Sequence, residues 1–553
     1  MIENIYQRLP IFALQDIIGE KQLSDLEGVL KALNRTDLNL DLIHTKGFLA
    51  NYAFQVLGLD FLTTENGIKI LLSALSEDEY IKLTPQFSIS TSYQDRNLSV
   101  KNFYSVLRKK TGRKILANLF GMNEDGFLKD VDRSKISSLL LNKSEYPYKP
   151  LKDYQFEVFF QSSDKLENSN SRFILQMPTG SGKTRTAMEV ICDFLNKNPN
   201  SSVVWLAHST ELCDQAADCF LQVWPHLAKR DLLFHKYYSE YKLDPNDTSR
   251  IDFLCTSFQS LLGVVERKYD YLQNRLGDKR LIVVDEAHKV VAPTYKKVTK
   301  ALLNLNSSVM GLTATPGRSY GSLNTEMENQ ELSEFFFDTL ISFNPHNQNP
   351  IEYLRAKGVL AKAKLESLQV SSTTTLSASE LEYVSQVFEL PGEILSRIGK
   401  DHIRNAEIIN RIFDLISNQE CKSIIFFATS LEQSRLVNSL LNFLGIKSSH
   451  VDGGTPSHLR HELIHKFRNL ESNVLCNYEV LSTGFDAPMV DCVFIARPTA
   501  SVVLYSQMIG RGLRGPAIGG KEKCLIVNVR DNFTNLPSIE TMYRVFDEYW
   551  VHS

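Results

Sequence analysis

No apolar run in these 553 residues approaches the roughly 18 needed to cross a bilayer, so no membrane span is expected. The first ten residues, MIENIYQRLP, lack a basic stretch leading into an apolar core, which argues against a secretory signal. Cysteine is absent before Cys192, and the eight present form no CxxC pair. Most lie in or beside apolar runs, as Cys255, Cys476, Cys492 and Cys524 do. They read as reduced core residues of a cytoplasmic protein, not as a disulfide or metal framework. Positive charge is not in excess either: 61 Lys and Arg stand against 64 Asp and Glu, a net charge of −3. A polycation is excluded, and any nucleic-acid surface must be local.

What is present fits a soluble globular chain, with 43% hydrophobic and 23% charged residues, and the length suggests three domains or four. The organising stretch is Phe173 to Thr186, FILQMPTGSGKTRT. A short apolar run ends in a glycine-rich turn, and an amphipathic segment to Leu195 follows: strand, loop, helix. Gly180 and Gly182 let the backbone curl and aim successive N–H groups, among them those of Thr179 and Ser181, at a polyphosphate. The following helix adds the positive end of its dipole. Lys183 reaches the β and γ phosphates and the Thr184 hydroxyl holds Mg²⁺. Met177 stands where the phosphate-loop pattern has its first glycine, so the turn must accept a side chain at its entry.

Residues 1–142 form an N-terminal accessory domain, mainly helical, with a capping box at Ser24 to Glu27 opening a helix that runs to about Leu33. Its charge is uneven. Residues 1–80 carry 6 basic and 12 acidic side chains, residues 81–114 carry 8 basic and 1 acidic. Arg108, Lys109, Lys110, Arg113 and Lys114 crowd together, with Phe87, Tyr93, Phe103 and Tyr104 interleaved. This is either a solvated basic face over a small core or a surface for a phosphate backbone and stacked bases. A proline-bearing linker, Lys143 to Pro150, marks the boundary. Gln155 follows it, a carboxamide able to pair with the N6 and N7 edge of adenine.

Beyond Phe173 short apolar runs alternate with helical patterns: Val203–Ala207, Phe253–Cys255, Leu281–Val284 and Val309–Leu312. That alternation predicts a parallel sheet with helices on both faces, and active groups just past the carboxyl ends of its strands. Leu281 to Val284 leads straight into Asp285-Glu286-Ala287-His288. Asp285 is placed to serve the Mg²⁺ shell, and Glu286 to orient or deprotonate a water.

At this point the chain resembles a DEAH-containing superfamily 2 helicase or translocase. VVWLAHSTELCDQA (Val203 to Ala216) resembles motif Ia, Thr256 to Ser260 motif Ib, GLTATPGR with Thr313 and Thr315 motif III, and SIIFFAT ending at Thr429 motif IV. LSTGFDAP (Leu481 to Pro488) resembles motif V and QMIGRGLR (Gln507 to Arg514) motif VI. The details are similar to bacterial helicases of the restriction and repair branch, including type III restriction subunits. Lys152 stands where such relatives usually carry Arg.

The resemblance implies an α/β chain of two tandem RecA-like parallel-sheet lobes, 143–365 and 366–553, behind the helical domain. It implies ATP and Mg²⁺ in the cleft, with Gly484 and Asp486 beside the nucleotide. Arg511 and Arg514, expected on one helix face, act as arginine fingers. His288, Gln507, Thr313 and Thr315 couple the cleft to a nucleic-acid track held by Ser209, Thr256, Thr429 and Thr483. The expected activity is an ATP-driven DNA helicase or translocase in genome maintenance or antiphage defence. DNA, single-stranded or duplex, is favoured over RNA. A restriction-like role needs partner nuclease subunits, since no nuclease or methyltransferase motif occurs. An ATP-switched sensor or scaffold, and an RNA helicase, remain open alternatives.

Overall fold

Val203 to Ala207 and Leu281 to Val284 are runs of wholly apolar residues, and such runs are stable only as strands covered on both faces. The computed structural model bears this out. It describes residues 3–35, 40–57, 64–87, 92–107, 138–140, 148–239, 241–244, 246–317, 323–344, 349–371, 374, 377, 380, 390–455, 457–481, 489–499, 501–530 and 551–552.

The first sheet has nine strands: β1 (Ser138–Leu140), β2 (Arg172–Gln176), β3 (Ser202–Ala207), β4 (Leu233–Tyr237), β5 (Phe253–Ser257), β6 (Arg280–Asp285), β7 (Ser307–Thr313), β8 (Thr339–Ser342) and β15 (Val551–His552). Their order is β1-β4-β5-β3-β6-β7-β2-β8-β15, parallel except for β1 against β4. The second sheet joins β9 (Lys362–Gln369), β10 (Ile424–Phe427), β11 (Ser448–Val451), β12 (Val474–Asn477), β13 (Cys492–Ile495) and β14 (Lys523–Arg530). Its order is β11-β12-β10-β13-β14-β9, all parallel. Two RecA-like α/β lobes therefore lie in tandem, as expected. β2 and β6 are neighbours of β7, so the phosphate loop after β2 and the carboxylates after β6 emerge at one sheet edge.

The lobe boundaries differ from those expected. β9 enters the second sheet at Lys362, so a cut after residue 365 falls inside a strand. β15, near the end of the chain, pairs with β8 of the first lobe, and β1, placed by sequence in the accessory domain, pairs with β4. Both corrections concern strand pairings between residues far apart in sequence, which local pattern does not encode.

The N-terminal region is helical among its described residues, with helices Glu3–Arg8, Ile11–Ile18, Glu20–Ala32, Lys46–Leu57, Glu65–Ala74, Glu77–Leu83 and Val100–Leu107. The third helix opens at Glu20 after Gly19, so Ser24 lies inside it and caps nothing; the capping box is Ser76 with Glu79 instead. These helices are not separate. Leu26, Leu49 and Ala53 share a core with Ile409, Leu440 and Leu441 of the second lobe. Phe48 meets Phe443 edge-on at 5.1 Å, the Arg35 guanidinium lies 3.8 Å over the Phe413 ring, and Asp25 pairs with His402 at 3.1 Å. The basic cluster at Arg108 to Lys114 lies outside the described residues. Among those that are described, no helix is long and apolar enough to cross a membrane.

Candidate nucleotide site between the lobes

β2 is fully buried from Phe173 onward, and Met177, directly after it, is buried too. Its N–H donates to the Thr313 carbonyl at 3.2 Å. The side chain at the loop's entry therefore belongs to the core, which is why glycine is not needed there. Gly180 (φ +86°) and Gly182 (φ +90°) adopt the left-handed backbone that L side chains avoid. A Cβ on Gly182 would collide with the Gln155 carboxamide. That carboxamide donates from Nε2 to the Ser181 carbonyl at 3.3 Å, while its Oε1 accepts the Lys152 N–H at 3.0 Å. Tyr154 donates its phenol to the Ser181 carbonyl at 2.8 Å. Ser181 closes the turn through Oγ to the Pro178 carbonyl at 2.7 Å. The loop is thus pinned from below by the YQ pair, and the helix Lys183–Lys197 starts at its exit, with Thr184 in the first turn.

At the end of β6, Asp285 accepts the Glu286 N–H at 3.0 Å, and Glu286 itself sits at φ +53°. A left-handed Glu costs about 1–3 kcal/mol, a strain that persists only where surrounding contacts impose it. Here they do. Glu286 Oε1 lies 4.0 Å from Lys183 Nζ, and Oε2 accepts Gln507 Nε2 at 3.3 Å and faces His288 Nδ1 at 3.5 Å. His288 Nδ1 also lies 3.2 Å from the Thr313 hydroxyl. That hydroxyl directs its hydrogen at the Thr315 carbonyl (2.8 Å) and accepts the Thr315 N–H (3.1 Å), so the geometry assigns the hydrogen of this contact to His288 Nδ1.

Burial raises the Asp285 carboxyl above its ordinary range, opposed by Lys183. Burial also acts upward on Glu286, but the Lys183 ammonium outweighs it and holds Glu286 ionised. Burial pushes His288 down to about 3 and His208 to about 4, so both rings are neutral at pH 7.

The second lobe meets this edge through the helix Val502–Ile509 and the turn after it. Gly510 ends that helix, so Arg511 and Arg514 do not share a helix face as expected; Arg511 lies in the turn and Arg514 beyond it, bridged antiparallel to Leu360. Glycine is required by close approach: a Cβ on Gly510 would collide with Thr179, and one on Gly512 with Cys524. The Arg514 side chain passes close to Gly180, 3.6 Å from where a Cβ would sit. The same turn is laced to the interlobe segment, with Ala361 N–H on the Leu513 carbonyl at 2.9 Å and Gly515 N–H on the Val359 carbonyl at 2.8 Å. Lys183, Glu286 and Gln507 are therefore brought together across the lobes, Arg514 passes beside the phosphate loop, and Arg511 is buried directly after Gly510.

Other expectations fare differently. Thr256 and Thr429 are fully buried: Thr256 Oγ1 donates to the Tyr237 carbonyl at 2.7 Å and Thr429 Oγ1 to Gln433 at 3.0 Å. Neither hydroxyl faces a track. Ser209 takes the Leu212 N–H at 3.4 Å as the cap of helix Thr210–Leu227. Thr483, Gly484 and Asp486 lie outside the described residues. Sequence reasoning missed the Glu211–Arg460 ion pair joining the lobes, and missed His208, Lys289 and Arg497, which line a cavity behind Glu286. Lys289 directly follows the DEAH run and was the one legible signal among them.

The residues fit a magnesium–nucleoside triphosphate: a glycine cradle, a lysine, a hydroxyl and two buried carboxylates. The family model of the type III restriction enzyme res subunit matches residues 148–318, and that of the helicase conserved C-terminal domain matches 407–515. The chain belongs to the superfamily 2 helicases. Within that family it is 26% identical over 387 residues to the Saccharomyces cerevisiae protein named "Putative ATP-dependent helicase IRC3", covering 68% of this chain and 51% of that one. It is 25% identical over 341 residues to a 51.5 kDa protein of a Lactococcus phage, covering 62% of each. The chain thus spans between half and two thirds of the length of these two relatives. The Pyrococcus furiosus Hef helicase domain superposes with a TM-score of 0.42 at 18% identity, over 68% of this chain and 95% of that one.

Proposed function

We propose that this superfamily 2 helicase is a nucleic-acid-stimulated ATPase that translocates along or unwinds DNA, in genome maintenance or antiphage defence. The observation that carries the reading is the Gln507–Glu286 hydrogen bond at 3.3 Å, which ties the motif VI helix of one lobe to the carboxylate of the other. A site completed only when two lobes meet can convert a change of bound nucleotide into relative motion.

Lys183 and the loop amides hold the triphosphate, and Thr184 with Asp285 would hold Mg²⁺, which when bound neutralises phosphate charge. Glu286, kept ionised, orients a water and takes its proton. The water oxygen bonds to the γ-phosphorus, the bond to the β–γ bridging oxygen breaks, and ADP keeps the electron pair. Arg511 and Arg514 offset the charge that builds. His288 carries the state of Glu286 to Thr313 and so to the loop after β7. DNA is favoured by the restriction-type character of motifs Ia to VI.

The test is steady-state ATP hydrolysis by the full chain with single-stranded DNA, duplex DNA and RNA. Stimulation by DNA is expected, with activity reduced at least ~100-fold in Lys183→Ala and Glu286→Gln. Wild-type turnover that ignores every nucleic acid would remove the motor reading. Stronger stimulation by RNA would reassign the substrate.

A further inference from the structure

Behind the Glu286 carboxylate, on the side away from the phosphate loop, lies an interlobe cavity of about 430 Å³. His288 and Gln507, both in contact with Glu286 Oε2, form its inner wall. His208, Lys289, Asn477, Glu479 and Arg497 line the rest, together with Ser501 and apolar side chains. Lys289 and Arg497 are permanent cations against the single carboxylate of Glu479, which pairs with Arg497. The order in space is therefore Lys183, Glu286, the His288–Gln507 partition, and then a chamber bearing positive charge.

We propose that this chamber is a binding site for inorganic phosphate, through which the product leaves while the lobes are still closed over ADP. This rests on the hydrolytic reading above and deepens it. The cleaved phosphate is formed between Lys183 and Glu286 and must depart away from ADP, which blocks the loop side. The partition is one hydrogen bond of 3.3 Å from Gln507 and a 3.5 Å approach by His288, so a small movement of these side chains opens it. Lys289 and Arg497 then attract the oxyanion. Arg497 is poised rather than locked: it pairs with Glu479 at 3.2 Å, and Glu479 is more than half exposed, so the pair is weak. Exit by this route separates phosphate release from opening of the cleft, and allows the ADP-bound state to keep its grip.

The experiment compares two single-turnover signals in the full chain with saturating DNA: acid-quenched cleavage, and phosphate release read by a fluorescent phosphate-binding protein. In Lys289→Gln and Arg497→Gln, cleavage should stay within about twofold of wild type while release lags by about tenfold. A cavity-filling Val503→Trp should give the same lag without removing a charge. A parallel titration follows ³¹P line broadening of inorganic phosphate on the ADP-bound wild type; the broadening should vanish in Lys289→Gln. Release that keeps pace with cleavage in all three variants overturns the proposal and leaves hydrolysis intact. Absence of cleavage in the wild type would instead strike the hydrolytic reading and this one with it.

Discussion

Glu286 carries three constraints in one residue: a left-handed backbone, a lysine on one oxygen, and a glutamine with a histidine on the other. It was legible because four β-formers deliver it to a strand end, where no surface role explains an adjacent pair of carboxylates. Its partner Gln507 was legible only through the order of motifs, since the contact spans 221 positions. Arg511 and Arg514 show the opposite. Their spacing suggested a helix face, but Gly510 and Gly512, needed for contact with Thr179 and Cys524, stop the helix first. Thr256 and Thr429 have hydroxyls engaged inside the fold, Thr256 on the Tyr237 carbonyl of the neighbouring strand and Thr429 on the Gln433 side chain, pairings that local sequence does not show.

A second histidine gives a test at this scale. His235 in β4 is buried with no partner for Nε2 among the described residues, and burial lowers its pKa to about 4. The unfolded ring titrates near 6.5, so between these values the unfolded chain binds more protons. Stability from the neutral ring is complete above pH 6.5 and is lost as pH falls toward 4, by at most about 3 kcal/mol. Thermal melts from pH 7.5 to 5 should therefore show a fall in Tm that flattens in His235→Phe. An identical slope in that variant would show that another group is responsible.

Among the elements, the central strands such as Val203–Ala207 and Leu281–Val284 were readable because each is a short apolar run followed by a helical pattern, whereas β9 (KAKLESLQ) and β11 (SSHV) carry no such run. The docking of the N-terminal helices was not readable. Nothing in Lys46–Leu57 marks Phe443 or Leu440 as its partner; the helix is simply apolar, and its cover lies nearly 400 residues away. Gln55 Oε1 accepts from Asn438 Nδ2 at 3.1 Å and from the Ser439 hydroxyl at 2.6 Å, while Arg435 donates to the Val56 carbonyl at 2.6 Å. The helical region is thereby packed onto the second lobe as one core. Leu49→Ala, which opens a hole in that shared core, should cost about 2–5 kcal/mol and lower hydrogen-exchange protection in Ile408 to Leu415 as well as in its own helix. Loss of protection confined to residues 1–107 would mean that the two regions unfold independently.

At the scale of the whole molecule, the two lobes touch at the phosphate loop through Gly510, at Glu286 through Gln507, and at Glu211 through Arg460. These contacts are spread along the cleft beside an apolar cluster that includes Leu175 of the first lobe and Ile509 of the second. The account's central claim is that bound nucleotide decides whether they are made. Pulsed dipolar EPR measures this directly, with spin labels at Leu305→Cys in the first lobe and Leu470→Cys in the second, both exposed. Seven of the eight native cysteines are buried, and Cys219 can be replaced. With ADP–beryllium fluoride and single-stranded DNA, the distances should form one narrow population; with ADP alone and no DNA, the population should broaden and shift. Distributions identical in the two states would contradict the motor.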